Sequence, residues 1–159
     1  MEKEKLQVYT ARITQANKSE LVVITYELIL DSMRQAKEAF LQNDIQTYEN
    51  ELKRVQKLMN ELMGGLNYQY IISYDLIQLY LYVNKRVITA LMKRKPDILD
   101  SAQKVMERLL IGFEGVAKED HSSSLMENSQ QLYAGLTYGK GTLNETLVNP
   151  NEYSRGYKA

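Results

Sequence analysis

From residue 17 to about residue 118, apolar positions recur every three or four residues, the spacing of one helical face. This pattern predicts four long helices, at about 17–42, 44–63, 69–93 and 96–118, with a shorter amphipathic segment at 3–14. The boundaries carry matching punctuation. Asn17-Lys18-Ser19-Glu20 reads as a capping box, in which Asn17 takes an orphan amide while Glu20 reaches back. Asn43-Asp44 breaks the first long helix and caps the second, and Gly64-Gly65 stops the second. Lys93, Arg94 and Lys95 suit the negative end of the third helix dipole, and Pro96-Asp97 opens the fourth.

Reading the inner faces gives Val22, Thr25, Ile29, Ser32, Ala36 and Ala39 on the first long helix, flanked by Leu21, Leu28, Met33 and Phe40. The second carries Ile45, Tyr48, Leu52, Val55, Met59 and Leu62 against a polar back. The fourth turns Ile98, Ala102, Val105, Leu109 and Phe113 inward, with Met106 and Leu110 beside them. The third is different. Residues 71–92, IISYDLIQLYLYVNKRVITALM, hold fifteen apolar or aromatic side chains out of twenty-two. Ile72, Leu76, Leu79, Val83, Val87 and Ala90 form one stripe. Ile77, Tyr80 or Leu81, Ile88 and Leu91 form another, with Tyr74 beside it.

A helix that is apolar all round must be covered all round. Short connections favour an antiparallel up-down-up-down four-helix bundle, an all-α fold. In that arrangement the first and third long helices are diagonal, so their two neighbours cannot hide every side. ELVVITYELIL, in the first long helix, poses the same problem. Surplus apolar surface of this extent marks a partner site, shaped to receive amphipathic helices of another chain.

Composition narrows the partner. Twenty Lys and Arg balance twenty Asp and Glu, which argues against nucleic acid as a ligand. No Cys is present, so no disulfide or thiolate metal site exists, and His121 alone cannot build a metal centre. The charged opening MEKEKLQVYT lacks the apolar core of a signal peptide. Asp75, Lys85 and Arg86 interrupt the apolar helix, which excludes a membrane span. The expected location is the cytoplasm. Twelve Tyr against two Phe and no Trp suit surfaces that are half apolar and half wet.

Catalytic signals are missing. A di-metal bundle needs Glu-x-x-His pairs on facing helices, and the chain has none. YGKGT at 138–142 departs from a phosphate loop, with Ala134 and Gly141 at required positions. The reading is no enzyme and no cofactor. Residues 1–120 read as the helical domain and 121–159 as a loop-rich tail of Ser, Gly, Asn and Tyr. Leu125, Leu132, Tyr133, Leu136, Tyr138, Leu143, Leu147, Tyr153 and Tyr157 recur through that tail. A further expectation is therefore that it occupies apolar bundle surface.

Over residues 9–118 the chain resembles the flagellar secretion chaperone family FliS. That family has an early Tyr, then Thr-Ala-Ser/Thr-Pro-x-Glu-Leu, then Leu-Tyr. Here Tyr9 precedes Gln15-Ala16-Asn17-Lys18-Ser19-Glu20-Leu21, with Thr25-Tyr26 in the last place. Asn43-Asp44, Val55-Gln56 with Glu61-Leu62, and Leu66-Asn67 resemble the family's turn and second long helix. Leu79-Tyr80-Leu81-Tyr82 is similar to its Leu-Tyr-Asp-Tyr. Gln15 and Lys18 replace the family's Thr and Pro, and Phe113 is the nearest large aromatic to its missing Trp.

The resemblance implies a bundle that wraps the disordered C-terminal segment of flagellin, prevents premature polymerisation and delivers it to the export gate. It also implies that Tyr9 and Ile13, on the N-terminal segment, cap the site until flagellin displaces them. Combined with the surplus apolar faces, it points to Leu21, Ile24 and Leu28 on one helix and Tyr74, Ile77, Leu81 and Ile88 on another as the flagellin-binding residues. A self-associating adaptor bundle, using the same stripes to form a homodimer, is the alternative. Neither reading names the flagellin, the oligomeric state or any co-chaperone.

Overall fold

A helix leaves backbone groups free at its ends, and at several ends here a particular residue satisfies them. The computed structural model describes residues 2–126 and is helical throughout, with no strand among the described residues. Its helices are α1 (Glu2–Gln15), α2 (Lys18–Leu41), α3 (Ile45–Gly64), α4 (Ile72–Lys93) and α5 (Leu99–Glu119), with a 3-10 turn at Pro96–Ile98 before α5. The expected boundaries hold to within three residues. The tail expected from residue 121 lies, from residue 127 on, outside the described residues.

Asn43 ends α2 with a positive φ of 61°, a left-handed conformation that Asn tolerates better than most side chains. The Asp44 carboxylate then accepts the Thr47 amide at 3.1 Å and caps α3. The Thr47 bonds hold the Asp44 carboxyl below its ordinary range. At the far end of α3 the Gly65 amide returns to the Glu61 and Leu62 carbonyls at 3.0 and 3.3 Å. Arg94 closes α4 in the left-handed region, with φ 53°.

Residues 19–121 form one compact unit containing a four-helix bundle. Its directions follow from which ends meet. Phe40, near the end of α2, packs on Tyr48, near the start of α3. The Tyr48 hydroxyl donates to the Ala90 carbonyl at the end of α4, at 2.7 Å. Lys37, late in α2, donates to Asp100 and Gln103, early in α5, at 2.7 and 2.6 Å. At the opposite end Ser19 donates to Asp120 at 2.7 Å, and Tyr26 meets Phe113 edge to face. The chain thus runs up, down, up and down.

The α3 stripe is buried as expected, except that Ile45 is half exposed. On α2 Ile29, Ser32, Ala36 and Ala39 of the expected stripe are buried, and on α4 Leu76, Val83, Val87 and Ala90 are, but a few positions differ. Tyr26, Ile29, Leu30 and Met33 face inward, while Val22 and Thr25 are only half buried. On α4, Ser73 and Tyr80 replace Ile72 and Leu79, which are exposed. The cause is polar. The Tyr26 and Tyr80 hydroxyls meet at 2.5 Å across the bundle diagonal, so each satisfies a group that burial would otherwise orphan. Burial pushes both hydroxyls to higher pKa. Ser73 likewise donates to the Asn67 carbonyl at 2.6 Å.

The second unit joins the two chain ends, of which 2–18 and 122–126 are described. Thr14 and Thr10 donate to carbonyls one turn back, at 2.6 and 2.8 Å. Arg12 lies 5.6 Å from the centre of the Tyr9 ring. After α1 the backbone is tied by the returning chain. The Ser124 hydroxyl donates to the Thr14 carbonyl and the Leu125 amide to the Ala16 carbonyl, both at 3.0 Å. Asn17 donates to the Ser122 carbonyl at 3.4 Å and is itself buried.

Candidate partner-binding surface

The connection from α3 to α4 is built to expose aromatics. Asn67 organises it: its side-chain oxygen accepts the Gln69 amide at 3.0 Å, and its carbonyl accepts Tyr70 at 3.1 Å and Ser73 at 2.6 Å. An Asn that mimics a backbone turn in this way, helped by the Ser73 hydroxyl, fixes the chain without using the neighbouring apolar side chains. Tyr68, Tyr70, Ile71 and Ile72 are therefore left facing solvent, Ile71 at 85%. Tyr74, on the first turn of α4, stacks at a tilt on Tyr68 with ring centres 5.3 Å apart. The turn and helix start thus share one aromatic platform.

Of the seven expected site residues, Tyr74 and Leu81 are open to solvent, at 58% and 50%. Ile77, Ile88, Leu21 and Leu28 are half buried, and Ile24 is buried at 3%. At ~100° per residue, Tyr74, Ile77, Leu81 and Ile88 fall within about 60° of one another on one flank of α4. Leu21, Ile24 and Leu28 cluster as tightly on α2, but roughly opposite Tyr26. Tyr26 and Tyr80 mark the bundle centre, so the two sets occupy separate faces of diagonal helices. They do not line one shared groove. Tyr9 and Ile13, on α1, are both half buried.

The sequence reading missed Tyr68, Tyr70 and Ile71, and assigned Ile72 to the core. A signal was available. After Gly64-Gly65 three Tyr and two Ile crowd into seven residues with no helical period to bury them. Large apolar groups in a turn, without a periodic partner face, mark surface that something else covers. Chemically the platform offers ring faces, methyl groups and phenolic hydroxyls. That suits an apolar peptide segment whose backbone still needs hydrogen-bond partners.

Among the described residues, no helix is long and apolar enough to cross a membrane. A comparison with curated proteins finds no match. A comparison with protein-family models matches residues 2–120 to the family described as Flagellar protein FliS. That stretch holds helices α1 to α5 and the whole aromatic platform, and by it the chain belongs to the FliS family of flagellar export chaperones.

Proposed function

We propose that the protein is a cytoplasmic chaperone that binds the C-terminal segment of flagellin, keeps the subunit from polymerising and delivers it to the flagellar export gate. One observation carries the reading: the exposed apolar and aromatic cluster of Tyr68, Tyr70, Ile71, Ile72 and Tyr74, continued by Leu81 on α4. Tyr74, Ile77, Leu81 and Ile88 would take apolar side chains of the client. Leu21 and Leu28, half buried on α2, would take others, and Ile24, buried at 3%, would join them only where the client displaces what covers it. Because those faces are separate, the client would pass around the bundle rather than fill a single slot. A segment without stable structure of its own can do this, at an ordering cost that a wide apolar contact offsets.

Calorimetry of the full chain against a C-terminal flagellin peptide from the same organism tests the proposal. The expected result is one peptide per chaperone. Leu81→Glu should weaken binding by about tenfold or more without lowering the melting temperature, since the side chain already faces solvent. Ile77→Glu should behave alike if Ile77 contacts the client. Absence of binding by the wild-type chain, or unchanged affinity in Leu81→Glu, would overturn the assignment.

A further inference from the structure

Four half-buried side chains carry a polar atom that is closed off from solvent and meets no hydrogen-bond partner among the described residues: Glu51, Asn84, Arg86 and Ser101. Only Asn84 stands on the client flank of α4. At ~100° per residue it lies about 20° from Ile77 around the helix, and along the axis it falls between Leu81 and Ile88. Arg86 is on the opposite flank, roughly 160° from Asn84, while Glu51 and Ser101 belong to α3 and α5. Ile77, Leu81, Asn84 and Ile88 thus form one stripe, an amide among three aliphatic side chains. One turn to either side of Asn84 on α4 stand Tyr80, Leu81, Val87 and Ile88. The polar atom they carry, the Tyr80 hydroxyl, is already held by Tyr26.

The stability of the bundle does not ask for an amide here. A buried acceptor without a donor costs free energy that an apolar side chain of similar size would avoid. Elsewhere the fold closes such groups: Tyr48 reaches the Ala90 carbonyl and Ser73 the Asn67 carbonyl. Building on the flagellin reading, we propose that Asn84 is a specificity-determining contact of that same surface. The client presents to it a side chain able both to donate and to accept a hydrogen bond, an amide or a hydroxyl. A client laid over Ile77, Leu81 and Ile88 removes water from the whole stripe. That favours the apolar groups, but it favours the amide only where the client offers a partner. The terminal bond of Asn turns easily, so a group that donates and accepts satisfies whichever end of the amide faces it. A segment that is apolar at this level strands the amide and is disfavoured, as is the right segment shifted by one turn. A single polar residue in an apolar helix seam sets register in coiled coils by the same physics.

Calorimetry with the C-terminal flagellin peptide and thermal melts of the full chain test this together. Asn84→Leu should weaken peptide binding by about tenfold or more, because the client's polar group then faces an aliphatic side chain. The same change should leave the melting temperature unchanged or higher, since it removes a stranded oxygen. Asn84→Gln keeps the amide and should bind within about threefold of the wild type. A purely structural role would not lower affinity while sparing stability. The proposal is overturned if Asn84→Leu binds as tightly as the wild type, if it melts clearly lower, or if Asn84→Gln loses as much affinity as Asn84→Leu. Leu81→Glu keeps the two readings apart: full affinity in Asn84→Leu beside weakened binding in Leu81→Glu removes the role of Asn84 alone. A wild-type chain that ignores the peptide removes both.

Discussion

The hydroxyl pair at the bundle centre makes a prediction that simple contact counting would get wrong. Tyr26 and Tyr80 are essentially solvent-free, and their hydroxyl oxygens, 2.5 Å apart, serve one another. Tyr26→Phe keeps the ring and its edge-to-face packing on Phe113 but strands the Tyr80 hydroxyl in the core. An orphaned buried hydroxyl costs about 1–3 kcal/mol, so each single substitution should destabilise the bundle by roughly 1.5 kcal/mol. The double substitution removes both hydroxyls and strands neither, so its cost should fall within about 0.5 kcal/mol of zero. The singles together would predict about 3 kcal/mol, leaving a coupling energy of roughly 2.5 kcal/mol. Urea unfolding followed by far-ultraviolet circular dichroism reads this directly. With m near 1.5 kcal/mol/M, each single midpoint should drop by about 1 M while the double stays near the wild type. Additive losses in the double, or neutral single variants, would refute the claim that the pair is a closed polar unit.

Three further outcomes follow from the same geometry. Burial first, and the negative charge of Asp97 second, push the Tyr48 hydroxyl up to about 12 from 10.0. The folded state therefore holds that proton where the unfolded chain releases it. Stability should be full below about pH 10 and fall as pH rises through about 12, a decline that Tyr48→Phe flattens in thermal melts across that range. Arg94→Gly relieves a left-handed residue worth about 1 kcal/mol but loses an exposed ion pair to Glu49 worth at most about that. Its midpoint in urea should be unchanged or higher, and a clear drop would mean the ion pair dominates. Deleting residues 1–14 should tighten flagellin-peptide binding in calorimetry if α1 competes for client surface, and unchanged or weaker affinity would rule out an autoinhibitory cap.

Helix periods and turn residues were legible in the chain because they depend on local geometry. Asn43-Asp44 and Gly64-Gly65 announced their turns, and α3 read correctly because its polar back leaves one choice of inner face. On α2 and α4 the same logic read most of the inner stripe, through Ile29, Ser32, Ala36 and Ala39 and through Leu76, Val83, Val87 and Ala90, but misplaced a few positions where neighbouring residues are also apolar. There the choice fell to polar atoms. Two tyrosines that look like surface residues by type are core, with their hydroxyls meeting each other, while Ile72 and Leu79 are exposed. No one-dimensional pattern contains that pairing, since the partners stand fifty-four residues apart.

The candidate surface follows from which residues α4 turns inward. Once Tyr80 turns inward, its neighbour Leu81 must turn out, and Tyr74, Ile77 and Ile88 move onto the same flank of α4. The exposed platform is thus the geometric complement of the hydroxyl pair: the contact that fixes the core also determines which apolar residues the core cannot use. The Asn67 turn extends that surface by a separate device, holding its own backbone so that Tyr68, Tyr70 and Ile71 need pack on nothing beneath them. Sequence could supply the surplus of apolar groups, but its address depended on a hydrogen bond across the bundle and a turn closed by one asparagine.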